Sequence, residues 1–449
     1  MSLTGPLEPL ETNPLRRIVT DVRADRRVRD ELPPGDLRPS LVRTRAALRD
    51  PLGLLLDAYE RHGPVFSLRI LHDVNVFVLG PEANQHVLVA NARNFLWRDG
   101  GFGELWPLLG DGLLTIDGDF HRRSRRVMLP AFHTERIRAS QAVMQEETDR
   151  AVGAWRPGQT IDLYARTREL ALRIAMRALF GLDPDRLRGR VDAAREFEHA
   201  LSFYSRDYLL QVLRGPGTPW ARMHAARRRL DAIIFEEIER RRRTGERGED
   251  LLSLLLDAED EDGERLSRAH LRDEVMTLLF AGHDTTTSTV AFLFYELARA
   301  PHLLDDHFDL ERALEETLRL YPPAWIGPRH AVAPFELCGV RVPGGVDVNY
   351  SSWVSHHLPD VWDAPEEFRP DRFAPGGERD RLPKHAYVPF GGGSRTCIGM
   401  RFGQAEIRVI ARAILERFRL ELLPGYELRV RQTPTIGPRD GMPMVVRRA

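Results

Sequence analysis

From about Ser267 to Arg299 the sequence keeps a helical period. At ~1.5 Å of rise per residue that helix spans roughly 45–50 Å, enough to cross a whole domain. A helix this long needs a large core around it, and a chain of 449 residues that is 42% hydrophobic can bury one. Most of 120–300 has helical periodicity too, with an amphipathic arginine- and glutamate-rich helix over Met223–Arg243, ended by Gly245 and Gly248, and another over Leu251–Leu256. An acidic loop follows at Glu259–Glu264, and a last helix is expected from about Gly399 to Phe418.

Strand signals are short and peripheral. Val65, Ser67 and Arg69 alternate, then Val74, Val76 and Val78, with His72–Asp73 between them, which predicts a β-hairpin. A short helix is expected at Pro81–Val89. Phe335–Tyr350 predicts two strands about a tight turn at Pro343-Gly344-Gly345, with Cys338 packed inertly in a strand. The tail from Leu428 to Val446 predicts strands and loops. The fold class is mainly α with small β-sheets (α+β). Residues 1–449 form one domain in this reading, and 1–35 are expected to be irregular up to Pro33-Pro34-Gly35.

A net charge of −1 gives no reason to expect a nucleic-acid partner. The two cysteines, Cys338 and Cys397, form no visible disulfide framework or metal knuckle, so a cytoplasmic, reducing setting is expected. The first fifty residues are charged and proline-containing without a long apolar run, so no signal peptide and no integral membrane anchor are expected.

The segment Phe390-Gly-Gly-Gly-Ser-Arg395-Thr-Cys397-Ile-Gly399 carries the most chemistry. Glycines let a backbone approach a flat ligand and adopt positive φ. A cysteine just ahead of a helix feels the positive end of its dipole, which favours the thiolate. An isolated cysteine in such a place is usually a small buried hydrophobe. Here Phe390, Gly393, Arg395, Cys397 and Gly399 fill every fixed position of F-x-x-G-x-R-x-C-x-G. This resembles the signature of the cytochrome P450 family. The resemblance implies the family's fold, with a long oxygen-binding helix over a haem b. It makes Cys397 the iron ligand and Arg395 a partner of a haem propionate, with Phe390 and Gly399 beside the cofactor. A thiolate ligand pushes electron density onto iron and favours O–O cleavage.

Within the long helix stands Ala281-Gly282-His283-Asp284-Thr285-Thr286. Threonines are poor helix formers and can bond back to carbonyls, so a local opening of the helical ladder is expected. The segment offers a small-residue gap, a hydroxyl and a carboxylate, as oxygen activation requires. It resembles the family's A-G-x-[DE]-T-T element. That implies Ala281 lies at the cofactor, Asp284 delivers protons and Thr285 stabilises the iron-bound peroxide.

Glu316 and Arg319 lie three apart on one helical face, a spacing usually found on solvated surfaces. Their context resembles the family's E-x-x-R helix, and Phe368-Arg-Pro-Asp-Arg372-Phe373 resembles its P-E-R-F element with Asp371 in place of glutamate. Glu316, Arg319 and Arg372 then form a structural network that secures the cysteine loop. His121 and Arg125, four apart, resemble the family's H-x-x-x-R propionate ligands, and Arg329 a further one. Arg122, Arg123 and Arg126 would add a basic docking surface for an acidic electron donor. One departure concerns the run from Arg299 to Glu316, which is short for the family and clips a helix normally found there.

Phe102, Leu105, Trp106, Trp325 and Ile326 are expected to line an apolar substrate pocket, and Phe203, Tyr204, Tyr208 and Trp220 to form a lid. The resemblance implies a monooxygenase using O2 on a hydrophobic small molecule of terpenoid, fatty acyl or polyketide type. No reductase is fused, so electrons would come from a ferredoxin or flavodoxin with its reductase. A peroxide-driven peroxygenase or haem-thiolate isomerase, and a haem-binding sensor, are the alternatives. Asp284 and Thr285 weigh against both, because neither needs a proton relay.

Overall fold

The computed structural model describes residue 7 and residues 9–449, apart from 184, 186–192, 205, 207, 260–262, 264 and 434. The chain divides into two compact units, one made of Met1–Leu7, Trp106–Leu310 and Ile398–Ala449, the other of Glu8–Leu105 and Glu311–Cys397.

The first unit is built on the helix Arg268–Arg299, which Ser267 caps by accepting the His270 N–H. It is buried along nearly its whole length, so its apolar residues run round the cylinder rather than down one stripe. The helices Leu163–Ile174, Pro219–Thr244 and Met400–Leu415 pack against it. Pro219–Thr244 starts earlier than periodicity suggests, because Thr218 caps it and Pro219 occupies its first position. It ends where Gly245 takes φ 69°, the left-handed conformation that closes a helix. A three-stranded sheet pairs Pro443–Arg448 with Phe418–Leu422 and Thr160–Asp162.

The second unit carries a six-stranded sheet in the order Gly35–Asp36, Val65–Ile70, Asp73–Val78, Val346–Tyr350, Gly327–Ala331, Phe95–Leu96. The predicted hairpin is its longest antiparallel pair, with Val65 opposite Val78 and Ile70 opposite Asp73. One face packs Val65, Val76, Val78, Val348 and Leu88 into a core, and the other packs Phe66, Leu68 and Phe77 onto Leu55 and Leu358.

Three expectations are corrected. The N-terminal segment is not irregular throughout: Pro14–Val28 is a helix, its first turn fixed by Pro14 and by the Asn13 side chain, which accepts from Leu15 and Arg16. The hairpin in 335–350 turns at Cys338–Gly339, not at Pro343–Gly345. Cys338 (φ 50°) and Gly339 (φ 74°) form the two-residue left-handed turn that joins Phe335–Leu337 to Val340–Val342. Cys338 is therefore exposed rather than packed in a strand. Finally, the Arg268–Arg299 helix is unbroken at its threonines. The Thr285, Thr287 and Thr289 hydroxyls bond back to the carbonyls of Ala281, His283 and Thr285 without opening the ladder. Between that helix and Leu310–Leu320 the chain makes only a short 3-10 turn, Pro301–Leu303.

Candidate functional site

In the second unit, Gly391 (φ 68°) and Gly393 (φ 60°) bend the chain ahead of Cys397. A Cβ on Gly393 would lie 2.1 Å from the Leu88 carbonyl oxygen, so only glycine lets the loop come so close to its neighbour. The Cys397 N–H donates to the Phe390 carbonyl at 3.0 Å and closes the loop, while the thiol is exposed. Phe390 itself is half-buried. Gly399 is the N-cap of Met400–Leu415, so Cys397 stands three residues before a helix.

Arg329 and Arg395 converge on one indole. The Arg329 guanidinium lies 3.9 Å from the Trp97 ring centre and that of Arg395 4.8 Å from it. Phe102 stacks on the same Trp97 with ring centres 4.6 Å apart. It thus belongs to a cation–aromatic stack. Trp325 and Ile326 instead pack against the Leu55–Phe66 core, with Trp325 edge-on to Trp353. Leu105 ends a 3-10 turn in this unit, while Trp106 belongs to the first unit and donates its indole N–H to Asp111. Of the five expected pocket residues, Trp325 and Ile326 are thus partly buried against the sheet core and Phe102 is stacked on Trp97.

Glu316, Arg319 and Arg372 are brought together in the second unit. Glu316 and Arg319 are buried and bidentate, Oε2 to Nε and Oε1 to Nη2 both at 2.8 Å. The remaining Arg319 hydrogens go to the carbonyls of His356, Pro365 and Glu367. Arg372 donates to Glu316 at 3.2 Å and also pairs with Glu378. The sequence reading missed His356. Burial holds its imidazole far below the usual pKa, so it is neutral. Its Nδ1–H donates to the Arg319 carbonyl, which fixes Nε2 as acceptor of the Val388 N–H at 2.9 Å, two residues before Phe390. Tyr387 adds a bond to the Glu315 carbonyl at 3.0 Å. The network thereby reaches the start of the cysteine loop.

In the first unit, His121 and Arg125 lie one turn apart on the Gly118–Met128 helix, His121 buried and Arg125 half-buried. Arg122 and Arg126 are exposed, and Arg122 pairs with Asp119. On the central helix every residue from Glu274 to Phe294 is buried except Ala281, Gly282 and Thr285. These three fall on one face. A Cβ added to Gly282 would meet nothing within 4 Å. The opening lies on the small-residue and hydroxyl positions that the motif picks out.

Asp284 points into the protein instead. Thr435 donates to it at 2.8 Å and Tyr164 at 3.3 Å, with Arg431 at 3.4 Å and Arg168 at 3.5 Å. Burial works to raise its pKa, but Arg168 and Arg431 outweigh that and hold the carboxyl below its usual range. His283 is buried beside it, 3.0 Å from Glu198. None of the partners of Asp284 was legible in the sequence, because Arg168, Tyr164, Arg431 and Thr435 all lie more than a hundred residues from it along the chain.

One further carboxyl escaped the sequence reading. Glu406, on Met400–Leu415, is fully buried and accepts from the Thr286 hydroxyl at 3.0 Å, while its Oε1 has no hydrogen-bond partner among the described residues. Burial pushes its pKa up to about 8. The native state therefore holds a proton that the unfolded chain releases near pH 4.5. The contribution of Glu406 to stability is greatest below that pH and falls until the pH passes about 8, by roughly 3–5 kcal/mol in all. Glu406→Gln should remove this slope. In urea titrations its advantage over the parent should grow from pH 6 to pH 9, and a constant or shrinking difference would contradict the burial argument.

The lid aromatics are packed rather than open: Phe203 meets Tyr204 and Trp220 edge-on at 5.0 and 5.6 Å. The side chain of Tyr208 lies outside the described residues.

The family model for cytochrome P450 matches residues 43–306 and 310–438, its break falling in the short segment before Glu316. A cyclooctat-9-en-7-ol 5-monooxygenase of Streptomyces melanosporofaciens is 35% identical over 88% of this chain and 90% of its own. A cyclooctatin synthase of the same organism is 34% identical over 92% and 95%. Among solved structures, a retinoic acid-bound cyanobacterial CYP120A1 superposes with a TM-score of 0.82 at 25% identity, covering 93% of this chain and 99% of that one. The haem domain of cytochrome P450DA gives 0.81 at 27% identity, covering 93% and 98%.

Proposed function

The chain belongs to the cytochrome P450 family and is a monooxygenase of it; from that premise we propose that it inserts one atom of O2 into a terpenoid-class hydrophobic molecule, holding haem b through Cys397 and drawing electrons from a separate ferredoxin or flavodoxin with its reductase. We further read residues 1–449 as one cytochrome P450 domain acting in the cytoplasm, since the family model runs through both units.

The residues suit the cofactor. An exposed thiol on a glycine-bent loop is a soft ligand for iron. Arg329 and Arg395, gathered on Trp97, supply guanidiniums of the kind that propionates pair with, and the family resemblance gives His121 and Arg125 the same role. Bound there, haem would supply the iron at which O2 is activated, with the thiolate favouring O–O cleavage.

The observation that carries the oxygenase reading is the unbroken central helix, which is accessible at Ala281, Gly282 and Thr285 and sets a buried charged carboxylate beside them. The Thr285 hydroxyl spends its hydrogen on the Ala281 carbonyl at 2.8 Å, so its lone pairs remain to accept a hydrogen bond on the open face. Asp284 is ionised and held by two arginines, a tyrosine and a threonine. To carry a proton it must exchange an arginine for a proton donor, which makes partner exchange at Asp284 the gate of the relay. A peroxygenase or a sensor has no use for this arrangement. The terpenoid class rests on the two relatives named for cyclooctat-9-en-7-ol and cyclooctatin.

The reading is tested by supplying the holoprotein with a ferredoxin–reductase pair, NAD(P)H and a panel of polycyclic terpenoid alcohols. At least one should shift the haem spin state and be hydroxylated. Asp284→Asn should keep that spin shift but lose about 10²-fold in product formation. Product formation within twofold of the parent would remove Asp284 from the relay, and turnover with peroxide alone would favour the peroxygenase.

A further inference from the structure

Among the described residues, six of the twelve exposed large hydrophobic side chains fall within residues 15–71: Leu15, Val19, Leu41, Val42, Leu48 and Leu71. All lie in the second unit. On the helix Leu41–Arg49, Leu41 (89% exposed), Val42 (81%) and Leu48 line one face, with Arg45 between them. Leu71, at φ 55°, forms the tip of the turn between the first two long strands, and its N–H donates to Thr44 of that helix. The same turn meets the Pro14–Val28 helix, through His72 to Asp21 at 3.2 Å and Arg69 to Asp25 at 3.3 Å. The outer side of Pro14–Val28 shows Leu15 and Val19 together with Arg16, Arg23, Arg26 and Arg27.

Burial does not explain these side chains, since they face solvent. Charge does indicate what they suit. Residues 14–49 hold ten arginines against five carboxylates, an excess of positive charge in a chain whose net charge is −1. Apolar side chains interleaved with arginines on short amphipathic helices are the chemistry of binding at an anionic lipid surface, where the apolar groups enter the acyl boundary and the guanidiniums meet phosphates. Leu15, Val19, Leu41 and Val42 precede residue 43, where the match to the family model begins, while Arg45, Leu48 and Leu71 lie within it.

We propose that the face formed by the Pro14–Val28 and Leu41–Arg49 helices and the Leu71 turn docks this protein peripherally and reversibly on an anionic phospholipid bilayer. This adds a lipid surface to the partners above. No helix among the described residues is long and apolar enough to cross a membrane, which suits binding in the plane of the interface.

The test is co-sedimentation of the full-length holoprotein with vesicles of phosphatidylcholine containing about 30% phosphatidylglycerol. Binding should be half-complete at roughly 0.1–1 mM lipid, as for a weak single anchor, and weaken at least about fivefold in 0.5 M salt or on pure phosphatidylcholine. The triple variant Leu41→Ser, Val42→Ser, Leu48→Ser and the single variant Arg45→Glu should each keep the parent's haem spectrum and terpenoid spin shift. The triple variant should bind vesicles at least about tenfold more weakly. The proposal is overturned if the parent stays in the supernatant at about 5 mM anionic lipid, or if the triple variant binds like the parent. It is also overturned if the substitutions change only self-association on size exclusion, which would assign the face to a second copy of the chain.

Discussion

Arg319→Ala should leave a chain that no longer retains haem. Both partners of the Glu316–Arg319 pair are fully buried, and each oxygen of Glu316 takes one hydrogen from Arg319, Oε1 taking a further one from Arg372. Truncation strands a carboxylate in a low-dielectric interior and leaves the carbonyls of His356, Pro365 and Glu367 without their donor. Breaking a buried pair from one side costs about 3–5 kcal/mol, a large part of a typical folding free energy. Arg372 cannot replace it, because its guanidinium is already shared between Glu316, Glu378 and the Ala364 carbonyl. Arg319→Lys should fail as well, since one ammonium cannot span both carboxylate oxygens and three carbonyls. Haem per chain after purification and the thermal midpoint check this. Full haem content with a midpoint within about 1 °C of the parent would show that the network is dispensable. Loss of stability should pass to the loop through His356 and Val388. His356→Ala is therefore expected to weaken haem retention in the same direction and by less.

How much of this could be read from the sequence depended on the range of the interactions. The cysteine loop was legible because its constraints are local: Gly391 and Gly393 take positive φ, and Cys397 bonds back only seven residues to Phe390. The Glu316–Arg319 pair is equally local, and the central helix was found to within a residue because its period extends over thirty-two residues. The environment of Asp284 was not legible. Arg168, Arg431, Tyr164 and Thr435 are ordinary residues until the fold gathers them, and no spacing rule links positions so far apart. Glu406 shows the same limit from the other side. Its period marks the buried face of a helix, but only packing shows that its Oε1 meets no hydrogen-bond partner among the described residues. The misplaced hairpin turn has a different cause. Pro343-Gly344-Gly345 is the stronger turn signal by composition, yet Cys338–Gly339 sits between two three-residue strands whose pairing fixes the register.

The central claim is that Cys397 is the iron ligand. Cys397→Ser is the second change with a very large expected effect, and it isolates the claim because the loop is closed by backbone groups. The Cys397 N–H to Phe390 carbonyl bond and the Thr396 bonds to Gly393 do not involve the sulfur. Serine should therefore keep the loop and lose only the thiolate, since a neutral hydroxyl is a hard, weak ligand for haem iron. Product formation should fall below detection, while thermal stability of the haem-free chain stays within about 1 kcal/mol of the parent. The decisive measurement is the carbon-monoxide difference spectrum of the dithionite-reduced protein, parent against Cys397→Ser. The account predicts the strongly red-shifted thiolate-type Soret band in the parent and its absence in the variant. A parent without that band, or a variant that retains it, would contradict the assignment of Cys397 as the ligand.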